Sequence, residues 1–317
     1  MSRAALLVAT ASLATGLVAG PGVAYAADTS TELTAAEMTA ELKVVSDASA
    51  KAAAEGWKAT MKPLGSSSGS MFIAADPIAG RSYVRIDLGG LIVAQYFAKG
   101  KGSYSSLNDS ESRAALRMMG RPSIRYAFIP DKSGDGPMGG FSPDTVLSDG
   151  NHAGTKTVHD DGSVDYRLTE DGSTMTAHVT AAGTLASLDA VDSDGHTKLT
   201  YGYGPQQVTL PSASVTIGYE ALARGLAYLH MESSVKQVAG EAATDTLQAA
   251  HRHPISVSLL REVTKDDVAS FNDDIGVRVK TKNVGGGIRV YATNPWTHRT
   301  VAYTLKASGR KVVIARN

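Results

Sequence analysis

The first hydrophobic pattern along the chain has the spacing of an α-helix. Apolar side chains recur at intervals that place them on one helical face, and they are Met38, Leu42, Val45 and Ala52. The preceding segment Thr34-Ala35-Ala36-Glu37 fits a capping box, in which Thr34 and Glu37 each bind the other's backbone amide. We therefore predict a helix that begins after Thr34 and ends near Gly56.

From Met71 onward the pattern changes to the alternation of β-strands. In Tyr83–Leu88 every second residue is apolar, which is typical of a strand with one buried face. A second strand over Leu91–Phe97 follows across the Gly89-Gly90 pair, which predicts a tight turn. Helical spacing returns over Ser110–Met119, where we predict a short helix.

The stretch from about residue 150 to residue 204 predicts an antiparallel meander. Short alternating segments such as Val164–Leu168 and Met175–Val179 are separated by Asp-Gly pairs, which favour the positive φ of hairpin turns. These pairs are Asp149-Gly150, Asp161-Gly162, Asp171-Gly172 and Asp194-Gly195. Pro211 ends this unit.

A second helix-then-sheet pattern follows Pro211. Helical spacing begins at Tyr219 and continues, less regularly, toward His251. We read Thr264–Asp267 as the cap of a short turn, and the last forty residues as three or four strands. The predicted class is α+β, with a signal peptide over 1–26, a first domain over 27–212 and a smaller helix-and-antiparallel-sheet domain over 213–317.

The N-terminal segment predicts secretion. Arg3 supplies a positive start, residues 4–18 are apolar, and Ala24-Tyr25-Ala26 fits a cleavage site before Ala27. A retained membrane anchor is the alternative. The chain has no cysteine, so it lacks the residue that would carry an N-terminal lipid, and the mature protein is expected to be free and extracytoplasmic, without stable membrane insertion.

Composition excludes two classes of protein. Lys and Arg number 31 and Asp and Glu number 31, so the chain lacks the excess of basic residues that nucleic-acid binding requires. Hydrophobic residues make up 43%, enough to fill a core and too many for a disordered chain. The absence of cysteine also excludes thiol nucleophiles, thiolate metal sites and disulfides.

The end of the meander is similar to the closing strands of a known family. The segments that carry the resemblance are Thr184-Leu185, Val191–Gly195, Thr197–Gly204 and Val208–Pro211. They resemble the LolA/LppX/LprG-like periplasmic carriers over about residues 28–212. The C-terminal region is only loosely similar in its order of elements to pilin-like globular domains.

The resemblance implies a curved antiparallel half-barrel with helices on its concave face, which holds acyl chains of lipoproteins or glycolipids. It implies no catalytic residues and no cofactor. We expect the concave surface to be lined by the apolar residues of the strands and the lid helix. These candidates are Val84, Ile86, Leu88, Met118, Met119, Phe128, Leu168, Val179, Leu199 and Tyr201. The alternative is a closed core without a ligand, since core and cavity residues have the same chemistry.

Three other motifs favour structural interpretations. His251 and His253 adjoin a predicted helix end, where cationic side chains meet the helix dipole, so no metal site is predicted. The Asp131–Gly136 and Asp192–Gly195 loops lack the glutamate of a calcium loop and are expected to be turns. Gly65–Gly69 matches Gly-x-Ser-x-Gly but lies in a Ser/Gly tract rather than between a hydrophobic strand and a helix.

The sequence therefore predicts a secreted, non-enzymatic protein that holds a lipid or acyl-chain ligand. The alternative is a structural or interaction protein of the cell envelope, with a filled core and a protein partner. A hydrolase is a third hypothesis with little support, because no nucleophile, base and acid stand out together.

Overall fold

The computed structural model describes residues 28–64, 69–132, 140–147, 152–170, 172–193, 195–272 and 276–317. The signal-peptide prediction (1–26) lies outside these residues. So do residues 65–68 of the Ser/Gly tract and most of the Asp131–Gly136 loop. The described residues form two β-sheets and five helices, and this confirms the α+β class.

A large sheet contains thirteen of the described strands, in the order β1-β8-β9-β10-β11-β12-β2-β3-β4-β5-β6-β7-β13. Their bounds are β1 (Thr29–Leu33), β2 (Trp57–Leu64), β3 (Ser70–Asp76), β4 (Arg81–Asp87), β5 (Ile92–Ala98), β6 (Gly102–Ser106), β7 (Tyr126–Pro130), β8 (Gly154–Val158), β9 (Val164–Glu170), β10 (Ser173–Val179), β11 (Leu185–Asp192), β12 (Gly195–Tyr203) and β13 (Thr216–Gly218). Neighbours are antiparallel except β13, which pairs parallel to β7, so the sheet is mixed. The described strands do not close into a barrel, and the predicted half-barrel curvature stays a prediction.

Five helices accompany the sheets: α1 (Ala35–Ala53), α2 (Ser110–Met118), α3 (Tyr219–Leu229), α4 (Met231–Ala249) and α5 (Val257–Phe271). The predicted capping box of α1 is confirmed, because Thr34 N donates to Glu37 Oε2 at 2.9 Å while Glu37 N donates to Thr34 Oγ1 at 3.4 Å. The predicted helix α2 is also confirmed, and Asp109 caps it by accepting from Ser112 N at 2.7 Å. Within the described ranges, no helix is both long and apolar enough to cross a membrane.

The turn predicted at Thr264–Asp267 is wrong, because these residues lie inside α5. The helix begins earlier, where Ser256 Oγ accepts from Leu259 N at 3.1 Å. Leu260, Thr264 and Val268 then recur every four residues and are all buried, so the helical period continues through the polar stretch. Apolar packing of one face overrides the cap-like composition.

The second sheet has the four antiparallel strands expected near the end of the chain. They are β14 (Lys280–Val284), β15 (Gly287–Thr293), β16 (Thr300–Ser308) and β17 (Lys311–Arg316), in that order. Helices α4 and α5 pack against this sheet and share a core with it. Ile288, Val290 and Leu305 have no exposed surface.

The region after residue 212 also contributes to the large sheet. Ile217 of β13 lies opposite Ala127 of β7, and α3 packs against α2. Leu116, Ile124 and Leu222 belong to the core cluster at this end of the sheet. The division into domains at residue 212 stays a prediction, and β13 and α3 are the elements on which it depends.

Candidate functional site

One face of the large sheet, which we call the inner face, carries helix α1. A register row of apolar side chains crosses eight strands on this face, each residue lying directly opposite the next. The residues of this apolar row are Tyr166, Ala177, Leu188, Leu199, Met61, Met71, Ile86 and Val93. Directly opposed residues in a sheet share a face, so the row forms one continuous apolar floor.

Helix α1 covers the first part of the apolar row. Met38, Leu42 and Val45 of the helix are buried in one core cluster with Ala177 and Leu188. Ser49 fixes the helix to the sheet, because its Oγ accepts from Leu185 N at 2.9 Å. This part of the inner face is closed.

The other part of the apolar row is incompletely covered. Met61, Ile86 and Val93 are only half-buried. The alternation of β4 and β5 continues to Leu88 and Leu91, which are 60% and 51% exposed and are joined by a 3.0 Å hydrogen bond from Leu88 N to Leu91 O. We call these five residues the open end of the inner face.

A segment over residues 140–147 lies on the inner face beside α1. Tyr201 Oη donates to Phe141 O at 3.1 Å, and Ser46 Oγ donates to Asp144 O. Burial raises the pKa of Tyr201, and Tyr203 and Asp144 raise it further, so the phenol stays protonated and remains a donor. Leu147 is 5% exposed, which shows that this segment contributes to the core.

A polar set closes the inner face at the opposite end of the row. Lys156 Nζ donates to Glu41 Oε1 at 2.9 Å, and Tyr166 Oη donates to Glu41 Oε2 at 2.8 Å. These two hydrogen bonds lower the pKa of Glu41. Burial and the bond to Glu41 raise the pKa of Tyr166. The carboxylate is therefore satisfied within the protein rather than presented to a ligand.

The basic residues of β2 and β4 lie on the face of the sheet opposite the apolar row. Lys58 and Lys62 flank the inward positions of β2, and Arg81 and Arg85 flank those of β4. Successive side chains of a strand point to opposite faces, so these four cations lie on the other side of the sheet. Among the described residues of β2 to β5, those at the open end are therefore apolar, and the cations of β2 and β4 lie on the opposite face.

The structure brings six of the ten sequence-predicted residues together. Val84, Leu168, Val179, Leu199 and Tyr201 belong to the α1 core cluster, and Ile86 packs against it. Of the other four, only Leu88 lies near them, at the open end. That any of the ten binds a ligand stays a prediction.

The remaining three predicted residues lie elsewhere. Met118 packs against the core of the second sheet, where Asn294 Nδ2 donates to its Sδ at 3.1 Å. Met119 belongs to the cluster between α2 and α3. Phe128 lies on the opposite face of the sheet, because its neighbour Ala127 points inward, and its ring stacks 4.9 Å from that of Tyr104.

Of the eight residues of the apolar row, the sequence-predicted site includes only Ile86 and Leu199. Those it missed are Tyr166, Ala177, Leu188, Met61, Met71 and Val93. The alternation of Trp57, Ala59 and Met61 was available as a signal for β2. Two lysines and Pro63 in the same segment obscured it, since lysine and proline are depleted in strands.

The other motifs noted in the sequence lie at a helix end and in a turn. His251 and His253 are exposed at the end of α4, where His251 and Arg252 have φ of 45° and 67°. Asp192 Oδ1 accepts from Gly195 N at 3.0 Å, as expected of a turn. In the portion of the chain that the structure describes, no group of three His, Asp or Glu residues is arranged to hold a metal ion.

Comparisons with known proteins give partial likenesses of fold. No protein-family profile and no curated protein matches the chain. LprF from Mycobacterium bovis is 12% identical, with a TM-score of 0.32, over 57% of this chain and 98% of its own. The lipoprotein LppX from Mycobacterium tuberculosis is also 12% identical, with a TM-score of 0.32, over 55% of this chain and 98% of its own. An uncharacterized conserved protein from Thermus thermophilus is also 12% identical, with a TM-score of 0.30, over 55% of this chain and 96% of its own. The family resemblance drawn from the sequence stays a prediction.

Proposed function

We propose that this protein binds the acyl chain of a lipid at the open end of its inner face and performs no chemistry on it. The observation that carries the proposal is the apolar row, which continues past the cover of α1 to the exposed Leu88 and Leu91. Each methylene buried there stabilises the complex by about 0.8 kcal/mol. A long acyl chain in contact with the open end is therefore expected to bind more tightly than a short one.

The open end suits an acyl chain better than a peptide strand. Strands β2 to β5 are each hydrogen-bonded on both sides, so they offer no free backbone edge for an added strand. Met61 and Met71 supply flexible thioether side chains that adapt to irregular apolar shapes. Recognition here depends on apolar surface, as a hydrocarbon chain requires.

Native mass spectrometry of the purified mature protein, followed by organic extraction, tests the proposal directly. A lipid at near-stoichiometric level is the expected result. A clean apo mass, with no uptake of added palmitate or diacylglycerol, would contradict it and favour the alternative of an envelope interaction protein with a filled core.

A matched pair of neighbouring variants locates the site. Leu91→Asp places a charge at the open end, and we expect binding of a fluorescent long-chain fatty acid to weaken about tenfold. Ile92→Asp is the control, because Ile92 lies opposite Asp87 on the other face and is 37% exposed. Equal losses in both variants, or no loss in Leu91→Asp, would remove the open end as the site.

We further propose that the protein acts outside the cytoplasm after removal of residues 1–26. The support is the sequence pattern ending at Ala24-Tyr25-Ala26. N-terminal sequencing of material secreted by the native host is expected to begin at Ala27, and a sequence beginning at Met1 would contradict this.

A further inference from the structure

The outer face of the large sheet, opposite α1, carries a connected set of histidines and aspartates. At its centre His178 of β10 lies directly opposite Asp165 of β9. Its Nδ1 is 2.7 Å from Asp165 Oδ1, and its Nε2 is 2.8 Å from Asp189 Oδ2 on β11. Both ring nitrogens of His178 therefore face carboxylate oxygens.

His159, after the end of β8, repeats this arrangement. Its Nε2 is 3.2 Å from Asp165 Oδ2, and its Nδ1 is 3.1 Å from Asp28 Oδ2. Asp165 thus joins the two histidines with its two oxygens. Asp28 immediately precedes β1, the strand at the edge of the sheet.

Two basic side chains complete the set on β12. Asp189 Oδ1 is 3.1 Å from His196 Nε2, and Asp189 Oδ2 is 2.9 Å from Lys198 Nζ. Acidic and basic side chains alternate through the whole set, which we call the His–Asp chain. Its members are Asp28, His159, Asp165, His178, Asp189, His196 and Lys198.

This geometry requires a particular protonation state. A neutral imidazole has one N–H and one acceptor nitrogen, whereas the imidazolium donates from both. Because His159 faces a carboxylate with both nitrogens, only the imidazolium makes both contacts favourable. A neutral ring would direct a lone pair at a carboxylate oxygen.

The surrounding charges act in the same direction. Hydrogen bonds to Asp165 and Asp28 raise the pKa of His159. Burial alone would raise the pKa of Asp189, but its bonds to Lys198, His196 and His178 lower it. Asp160 and Asp161 line the same open depression of about 660 Å³ as His159 and His178. At the other end of the His–Asp chain, Lys62 lies opposite Lys198.

The edge strand β1 is attached mainly by its antiparallel pairing with β8, and few of its side chains reach the core. Its residues Thr29–Glu32 are exposed, and only Leu33 packs against the core. Two side-chain hydrogen bonds of 3.0 Å join it to β8, one between the hydroxyls of Ser30 and Thr157 and one from Thr155 Oγ1 to Glu32 Oε1. Edge strands open locally more readily than core strands, and the Asp28–His159 contact adds a side-chain anchor where β1 begins.

We propose that the His–Asp chain is a pH-sensitive clasp that fixes β1 to the sheet while His159 is imidazolium and releases it when His159 is neutral. The sign follows from linkage: a histidine with a raised pKa stabilises fully below its unfolded value of about 6.5, and this contribution is lost as the pH rises. Asp189, with a lowered pKa, loses its contribution only below about pH 4. The clasp is therefore expected to be closed between about pH 4 and about pH 6.5. It lies on the outer face and does not depend on lipid binding.

Hydrogen exchange of the β1 and β8 amides, corrected for intrinsic rates, tests the clasp between pH 5.5 and 8.5. We expect protection to fall about fivefold across this range, as exposed ion pairs of this kind allow. Amides of β15 and β16 are the internal control and should keep constant protection. Long-range ¹H–¹⁵N spectra should show His159 protonated at both nitrogens at pH 5.5. Flat protection in β1, or a singly protonated His159 at pH 5.5, would overturn the proposal.

Two variants separate the clasp from a general surface effect. Asp165→Asn removes the carboxylate that joins both histidines, so we expect low β1 protection at pH 5.5 and no pH step. Asp160→Asn changes an exposed carboxylate that lines the same depression and should retain the step. If Asp165→Asn keeps the pH step, or Asp160→Asn abolishes it, the clasp is wrong.

Discussion

The two sheets of this protein bury their apolar faces to different extents. In the small sheet, two helices pack over four strands, and Ile288, Val290 and Leu305 are fully enclosed. In the large sheet, α1 covers only part of a much wider inner face, and the apolar row continues to the exposed Leu88 and Leu91. The same alternation of side chains thus gives a closed core in one region and an open apolar surface in the other. The difference lies in helical cover, and it separates a structural sheet from a candidate binding sheet.

Truncation of Leu305 should produce the largest effect. Leu305 of β16 has no exposed surface, so Leu305→Ala is expected to lower the free energy of unfolding by about 2–5 kcal/mol, as other buried leucines do. Urea unfolding followed by fluorescence of Trp296, which contacts Tyr228 in this core at 5.6 Å, measures it. Replacing Trp57 by Phe first isolates this signal, because the chain has two tryptophans.

Ile86→Ala is the matching change in the large sheet. Ile86 is half-buried in the apolar row. The substitution is therefore expected to lower the free energy of unfolding by about 1 kcal/mol, because the lost methyl and methylene groups were only partly removed from water. Fluorescence of Trp57, whose ring is 6.2 Å from Tyr201, reports on this core when Trp296 is replaced by Phe. A loss as large as that of Leu305→Ala would show that the inner face is closed, and would contradict the comparison.

The elements that define the closed and covered regions could mostly be predicted from the sequence. The capping box at Thr34 and the four-residue periodicity of Met38 and Leu42 are local signals for α1. Likewise, alternation and Asp-Gly turns predict the meander. β1 and β13 carry weaker local signals: β1 is almost entirely polar, and β13 has three residues that depend on parallel pairing with β7.

The two candidate surfaces depend on register, which the sequence does not show. Met61 faces Leu199 only because β2 pairs with β12 across more than a hundred residues. His178 meets both Asp165 and Asp189 only because β10 lies between β9 and β11 in one particular register. Alternation indicated that His178 faces outward between Ala177 and Val179, but not what lies beside it.

A like-charge cluster on α4 and α5 gives a third, smaller effect. Burial raises the pKa of Asp267, and Asp245, Asp266 and Glu241 raise it further. A carboxyl group with a raised pKa gains stability as the pH falls through that pKa, so its ionised form is a net cost at neutral pH. Asp267→Asn is expected to stabilise the protein by less than about 1 kcal/mol at pH 7. Urea unfolding at pH 7 measures it.

Glu262→Gln is the control for that change, because Glu262 is an exposed carboxylate on the same helix. The stabilisation by Asp267→Asn should shrink at pH 4, where carboxyl groups become protonated. Equal stabilisation at both pH values would mean that repulsion between carboxylates is not its cause. In that case Asp267 would no longer contrast with the aspartates on the outer face of the large sheet, which lie beside basic side chains.

The smallest expected effect is that of Leu88→Ser on stability. Leu88 is 60% exposed, and exposed substitutions usually change the free energy of unfolding by less than about 0.5 kcal/mol. Binding of a long-chain fatty acid should nevertheless weaken, because the serine removes apolar surface from the open end. This separation of binding from stability is what distinguishes a ligand surface from a core. A loss of stability well above about 0.5 kcal/mol would instead show that Leu88 is enclosed in solution, so that the large sheet is as closed as the small one.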